Sequence, residues 1–162
     1  MSAAQGLKLK ATDAEDFRII AACLQDALIP VGDMKFETLQ REFVLVANRF
    51  RWENCDETWE NELDAPRADP ALDPALMPCN AYERVNCGIH FHGVEAVRRR
   101  GLDQRDRGRV LELLTIEAHP GAIVMVFAGE AAVRLEGPHI SCVMQDIGEP
   151  WPTQWRPRHP AA

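Results

Sequence analysis

Apolar and polar residues alternate strictly along Arg84–His92. Val85, Cys87, Ile89 and Phe91 fall on one side, and Arg84, Asn86, Gly88, His90 and His92 on the other. A period of two is that of a strand with one face in a core and one toward water. Val94–Val97 continues the β-prone run into Arg98-Arg99-Arg100. Upstream, Leu7–Ala11 reads as a short first strand, and Thr12-Asp13-Ala14-Glu15 matches a helix capping box. Acids at 13, 15 and 16 suit the positive end of a helix. Phe17, Ile20, Ala21, Leu24 and Leu28 recur at helical spacing, which predicts an amphipathic helix packed on a core.

Pro30 and Gly32 make Leu28–Glu37 an irregular strand, at an edge or bulged. Thr38–Glu42 then reads as a hairpin loop leading into a strand over Phe43–Trp52. In that strand Val44, Val46, Phe50 and Trp52 share a face, while Arg49 and Arg51 point away. Phe43 and Leu45 suggest cover on both sides of its first half. Gly101–Gly108 is a polar turn before a strand at Val110–His119, although VLELL alone also fits the end of a short helix. Pro120-Gly121 predicts a turn, Ile123–Phe127 a strand buried on both faces, and Ala128–Glu130 a turn into Ala132–Glu136. Ile140, Val143, Met144 and Ile147 take up helical spacing, with Gly148 as the stop, and predict a C-terminal helix.

These elements define an α+β domain of about seven mainly antiparallel strands, with an N-terminal and a C-terminal helix. Strands closed by a C-terminal amphipathic helix are the order of pleckstrin-homology-like barrels. That comparison concerns shape and carries no function. The alternative is an open sheet with both helices on one face. Residues 1–148 form the domain, interrupted at about 54–81 by four prolines, seven acids and one arginine. Such a segment buries too little apolar surface to offset its ordering, and is expected to be a mobile insertion. Residues 149–162, EPWPTQWRPRHPAA, are expected to form a flexible tail.

Composition narrows the classes. With 162 residues and 46% apolar side chains, the chain can bury a core without staples. Five cysteines without a CxxC pair argue against a disulfide framework. No apolar run approaches the roughly 18 residues of a membrane span, and the N-terminus has no signal-peptide pattern. The expected location is the cytoplasm. A net charge of −7 opposes non-specific nucleic-acid binding.

Several stretches, LKLKATDAED (Leu7–Asp16), LQDA (Leu24–Ala27), VGDM (Val31–Met34), NRFRWE (Asn48–Glu53), GIHF (Gly88–Phe91), VEAVRRRGL (Val94–Leu102) and FAGEAAVRLE (Phe127–Glu136), come in an order that resembles a largely alphaproteobacterial family of uncharacterised proteins, a domain of unknown function. The resemblance implies a bacterial cytoplasmic protein and supplies no activity, cofactor or catalytic residue. Its members are arginine-rich after the NRFxWE run, whereas Asn54–Ala81 here is acidic.

For chemistry, His90 and His92 place two imidazoles on one strand face, a spacing that metal sites use. Zinc needs two further ligands, or one plus water, and His119, Glu117 and Glu95 are the sequence's candidates. Alternation sends Cys87 to the opposite face, which weakens a thiol pairing with either histidine. A solvated strand face has the same pattern, and that reading is preferred. No catalytic, cofactor-binding or metal residue is assigned. Arg98–Arg100 with Arg105, Arg107 and Arg109 suits phosphate, but Asp103 and Asp106 intervene and no aromatic platform accompanies them. No hydrolase, nucleotide-binding or protease signature occurs. The expected function is a non-catalytic protein-binding or adaptor module, with His90, His92, Arg98 and Arg100 as its candidate surface. A protein partner is expected, homo-oligomerisation is compatible with that surface, and no membrane or nucleic-acid partner is expected. The alternatives are a metal- or thiol-dependent enzyme using His90 and His92, and a polyanion binder using Arg98–Arg109.

Overall fold

The computed structural model describes residues 6–54, 82–153 and 157. In chain order these give β1 (Lys8–Ala11), α1 (Ala14–Cys23), β2 (Leu28–Pro30), β3 (Lys35–Glu37), β4 (Glu42–Phe50), β5 (Glu83–His92), β6 (Ala96–Arg100), β7 (Val110–His119), β8 (Ala122–Phe127), β9 (Ala131–Glu136) and β10 (Ser141–Pro152). Short 3-10 turns occupy Val31–Asp33 and Trp52–Asn54. The ten strands form one open sheet in the order β1-β10-β5-β4-β2-β7-β8-β9-β6, with β3 added beside β4. Every pairing is antiparallel.

The helix follows its local code, shifted by one residue. Asp13, not Thr12, caps α1 by accepting from the Asp16 N–H at 2.8 Å, and the Asp16 carboxylate reaches back to Thr12. Phe17, Ile20 and Leu24 are buried, and α1 packs on β7 and β1. The apolar stripe ends at Leu24. Leu28 lies instead in β2, after Asp26 takes a positive φ of 62° and turns the chain. The irregular segment Leu28–Glu37 divides into β2, a 3-10 turn and β3, as its proline and glycine require.

Several expectations are corrected. The sheet has ten strands, not about seven. The second helix is strand β10, inserted between β1 and β5, and with it goes the basis for the pleckstrin-homology-like comparison. In β10, Cys142 and Met144 enter the core while Val143 and Gln145 face away, and hydrogen-bonding strands on both sides hold the extended form. The strand runs on through Pro152, with Trp151 opposite Arg84 and Pro152 opposite Glu83 after a shift in register, so these two residues of the expected tail are paired. Residues 55–81, the bulk of the expected insertion, lie outside the described residues. The core face of β4 carries Phe43, Leu45, Ala47 and Arg49, while Val44 and Val46 face outward. Phe50 shares the outer face but is buried there beneath Trp52, Tyr82 and the Arg84 guanidinium. In β8 only the Ala122/Ile123/Met125/Phe127 set is fully covered, and Val124 and Val126 are half-buried.

Arg49 therefore sits inside the protein with no exposed side-chain surface. Its Nε and Nη2 donate to both Asp146 oxygens at 2.7 Å. Nη1 and Nη2 also donate to Glu53, at 3.0 and 2.7 Å. Asp146, itself 3% exposed, accepts from the Leu7 N–H as well. Burial opposes the Arg49 charge, but these carboxylates more than offset it and raise the pKa. Four charge-assisted hydrogen bonds from Arg49, with the Leu7 N–H bond to Asp146, thus tie β4, β10 and the chain entering β1 into one unit.

Candidate functional site

The outward face of β3, β4, β5, β10 and β1 follows from the pairing register, because residues directly opposite share a face. One row reads Glu37, Glu42, His92, Ser141. The next reads Lys35, Val44, His90, Val143, Lys10. A third reads Val46, Gly88, Gln145, Lys8. Gly88 has a packing role here: a Cβ at that position would stand 3.1 Å from Ile147 Cδ1. Its bare backbone lets the Ile147 side chain fold over β5. Val46 is 37% exposed and Ile147 50%.

Where the first two rows meet, three chemically active side chains converge. Glu42 Oε2 lies 3.0 Å from His90 Nε2, and Glu42 Oε1 lies 3.2 Å from His92 Nδ1. The imidazole rings are 4.4 Å apart and inclined by 30°. One potential ligand atom from each residue falls within 4.8 Å of the others. Each histidine side chain is about two-fifths exposed, so the cluster opens to solvent. His90 Nε2 is itself closed off, and its contact with Glu42 lies off the line that a ring N–H hydrogen bond needs. The polar contact with His90 is the main reason the Glu42 carboxyl is held below its usual range, against an opposing desolvation. Glu37, opposite Glu42, is already ion-paired with Lys35.

The other candidates are placed elsewhere. His119 contacts Glu117 on its own strand at 3.1 Å, and Glu95 contacts Arg41 at 3.6 Å, so neither pair joins the histidines. Arg98 and Arg100 lie on β6, opposite Arg134 and Ala132, on a strand that does not pair with β5. Arg98 and Arg134 share the carboxylate of Glu136. Arg99 turns the other way and lines a cavity of about 250 Å³ with Val31, Met34, Phe36, Leu102 and Arg107. Burial lowers the Arg99 pKa, but Arg107 is committed to the Gly32 carbonyl. Cys87 and Cys142 are wholly buried, and desolvation pushes both thiols up to about 12. Burial also raises Cys23. A thiol that stays protonated is a poor nucleophile.

The residue that local patterning missed is Glu42. As the last member of a polar loop it looked like a turn residue. Only the β4–β5 register, which pairs positions fifty residues apart, sets it against His92. The one local signal is that Glu42 begins the outward series continued by Val44, Val46 and Asn48.

Fold and site together define an antiparallel-sheet protein with a His–Glu–His cluster on an open sheet face. The chain belongs to the family described as a protein of unknown function, DUF2948, whose model matches residues 7–159. No curated protein and no solved structure matches it. No helix among the described residues is long and apolar enough to cross a membrane.

Proposed function

We propose that the chain is a non-catalytic, cytoplasmic bacterial binding module that docks a protein partner on the outer face of β4, β5 and β10. The observation that carries this reading is the apolar strip Val44, Val46, Val143 and Ile147. It is exposed in part, with His90 between Val44 and Val143 in the register and Lys8, Lys10, Glu42 and His92 around it. An apolar centre with a polar rim is the anatomy of a protein interface. Arg98 and Arg100, on β6, do not border this strip in the register and take no part in the reading. Protonated, buried thiols give no support to a thiol-dependent enzyme. Carboxylate and backbone partners for Arg98, Arg107 and Arg109 leave little for a polyanion to claim.

The test is site-specific photocrosslinking in the host cell, with the photoreactive residue at Val46 or Ile147 and, as control, at exposed Leu114 on β7. A discrete adduct from both test positions and none from Leu114 is expected. An adduct of twice the chain mass would identify the partner as a second copy. No adduct, or equal adducts from all three positions, would overturn the reading.

A further inference from the structure

We infer that Glu42, His90 and His92 form a binding site for a divalent transition-metal ion of the zinc class. The inference stands on the cluster's geometry and, although the cluster lies on the proposed docking face, does not rest on that reading. Two imidazoles and one carboxylate are a donor set that zinc takes in sites where a further position stays open. Here they come from paired strands, so the sheet fixes their Cα positions.

The register explains how residues two apart on one strand can meet. His92 stands directly opposite Glu42 and approaches it with the near ring nitrogen, Nδ1. His90 stands one pair further along, opposite Val44, and reaches back with the far nitrogen, Nε2. Use of unlike nitrogens compensates for the step along the strand and lets both rings point to one place. Donors about 2.0–2.2 Å from a tetrahedral zinc stand roughly 3.3–3.5 Å apart. The observed spread of up to 4.8 Å closes by rotation of three partly exposed side chains.

A plain ion pair accounts for this arrangement less well. The His90 Nε2 atom is shut off from water yet is not aligned for a hydrogen bond to Glu42. A buried ring nitrogen without an aligned partner is costly in an ordinary surface contact. A metal ion held between the three side chains gives it one. One carboxylate against a dication leaves a net positive centre, so the open position favours water or an anionic donor. Lys35 holds Glu37 on the far side of Glu42, which leaves Glu42 as the only carboxylate of that row free to turn toward the rings.

The test is a zinc titration of the full chain against a competing chelating indicator, comparing wild type with Glu42→Gln and His90→Ala/His92→Ala. We expect saturable binding of one ion per chain, weakened at least tenfold by Glu42→Gln and lost in the double variant. Two exposed histidines chelating adventitiously would bind equally well without the carboxylate, so an unchanged affinity in Glu42→Gln overturns the site. So does an absence of saturable binding in wild type. Cobalt(II) supplies a second readout: a ligand-field spectrum without thiolate charge transfer is expected, and a thiolate band would place the metal on cysteines instead. Zinc should raise the melting temperature of wild type and leave that of the folded double variant unmoved.

Discussion

Two charged clusters of this protein are built from overlapping strands and lie on opposite faces of one sheet. Inside, Arg49 on β4 meets Asp146 on β10 and Glu53 just past β4. Outside, Glu42 on the same β4 meets His90 and His92 on β5. The inner cluster is saturated: four of the five guanidinium N–H groups have carboxylate acceptors, and Arg49 has no exposed surface. The outer cluster is open to solvent, and one ring nitrogen is unaligned with its neighbour. Saturation makes the first a fastener of the fold. Incompleteness makes the second a place where something can bind. Charged residues on a sheet are thus not one category; the number of donors and acceptors left unused separates a structural site from a chemical one.

The largest test of this contrast is Arg49→Leu. Removing the guanidinium strands Asp146 in the core, and the expected cost is about 3–5 kcal/mol in urea unfolding. Arg49→Leu/Asp146→Leu should cost less than Arg49→Leu alone, because no charge is left buried. If the double variant is the less stable of the two, the pair is not behaving as a fastener.

A second comparison uses one strand and two adjacent residues. Phe91 is fully buried on β5, and Phe91→Ala should cost about 3–5 kcal/mol. His90→Ala, one position away on the open face, should cost well under about 1 kcal/mol. Equal losses in chemical denaturation would show that the outer face is covered too.

The smallest expected effect is in acid. Burial by itself raises the Glu53 pKa, but hydrogen bonds and charge from Arg49 outweigh it and hold the carboxyl below its ordinary range. A depressed folded-state pKa contributes stability that is complete above the unfolded value, about 4.3, and is lost as pH falls through the folded value. The urea midpoint should therefore fall on acidification below about pH 4.3, and Glu53→Gln should make that fall shallower. Glu53 is partly exposed, so the change should be small. An identical pH slope in the variant would mean that Glu53 is uncoupled from Arg49.

By itself, the sequence determined the elements whose signal is local. The α1 stripe of Phe17, Ile20 and Leu24, the alternation of β5, and the turns at Gly121 and Gly129, both at positive φ, need only neighbours within a few residues. It also separated Cys87 from the face of His90 and His92. Tertiary structure decided what local pattern left degenerate. Ile140, Val143, Met144 and Ile147 fit a helix as well as a strand, because outward Val143 and Ile147 and inward Met144 happen to fall at helical spacing. Pairing with β1 and β5 on both sides settled the choice. Both faces of β4 carry apolar residues, so alternation could not say whether Arg49 points in or out. Acceptors from Asp146, 97 residues away, made its burial possible. The partnership of Glu42 with the histidines has the same origin. Strand register joins residues that the chain keeps far apart, and no local periodicity encodes which residues those will be.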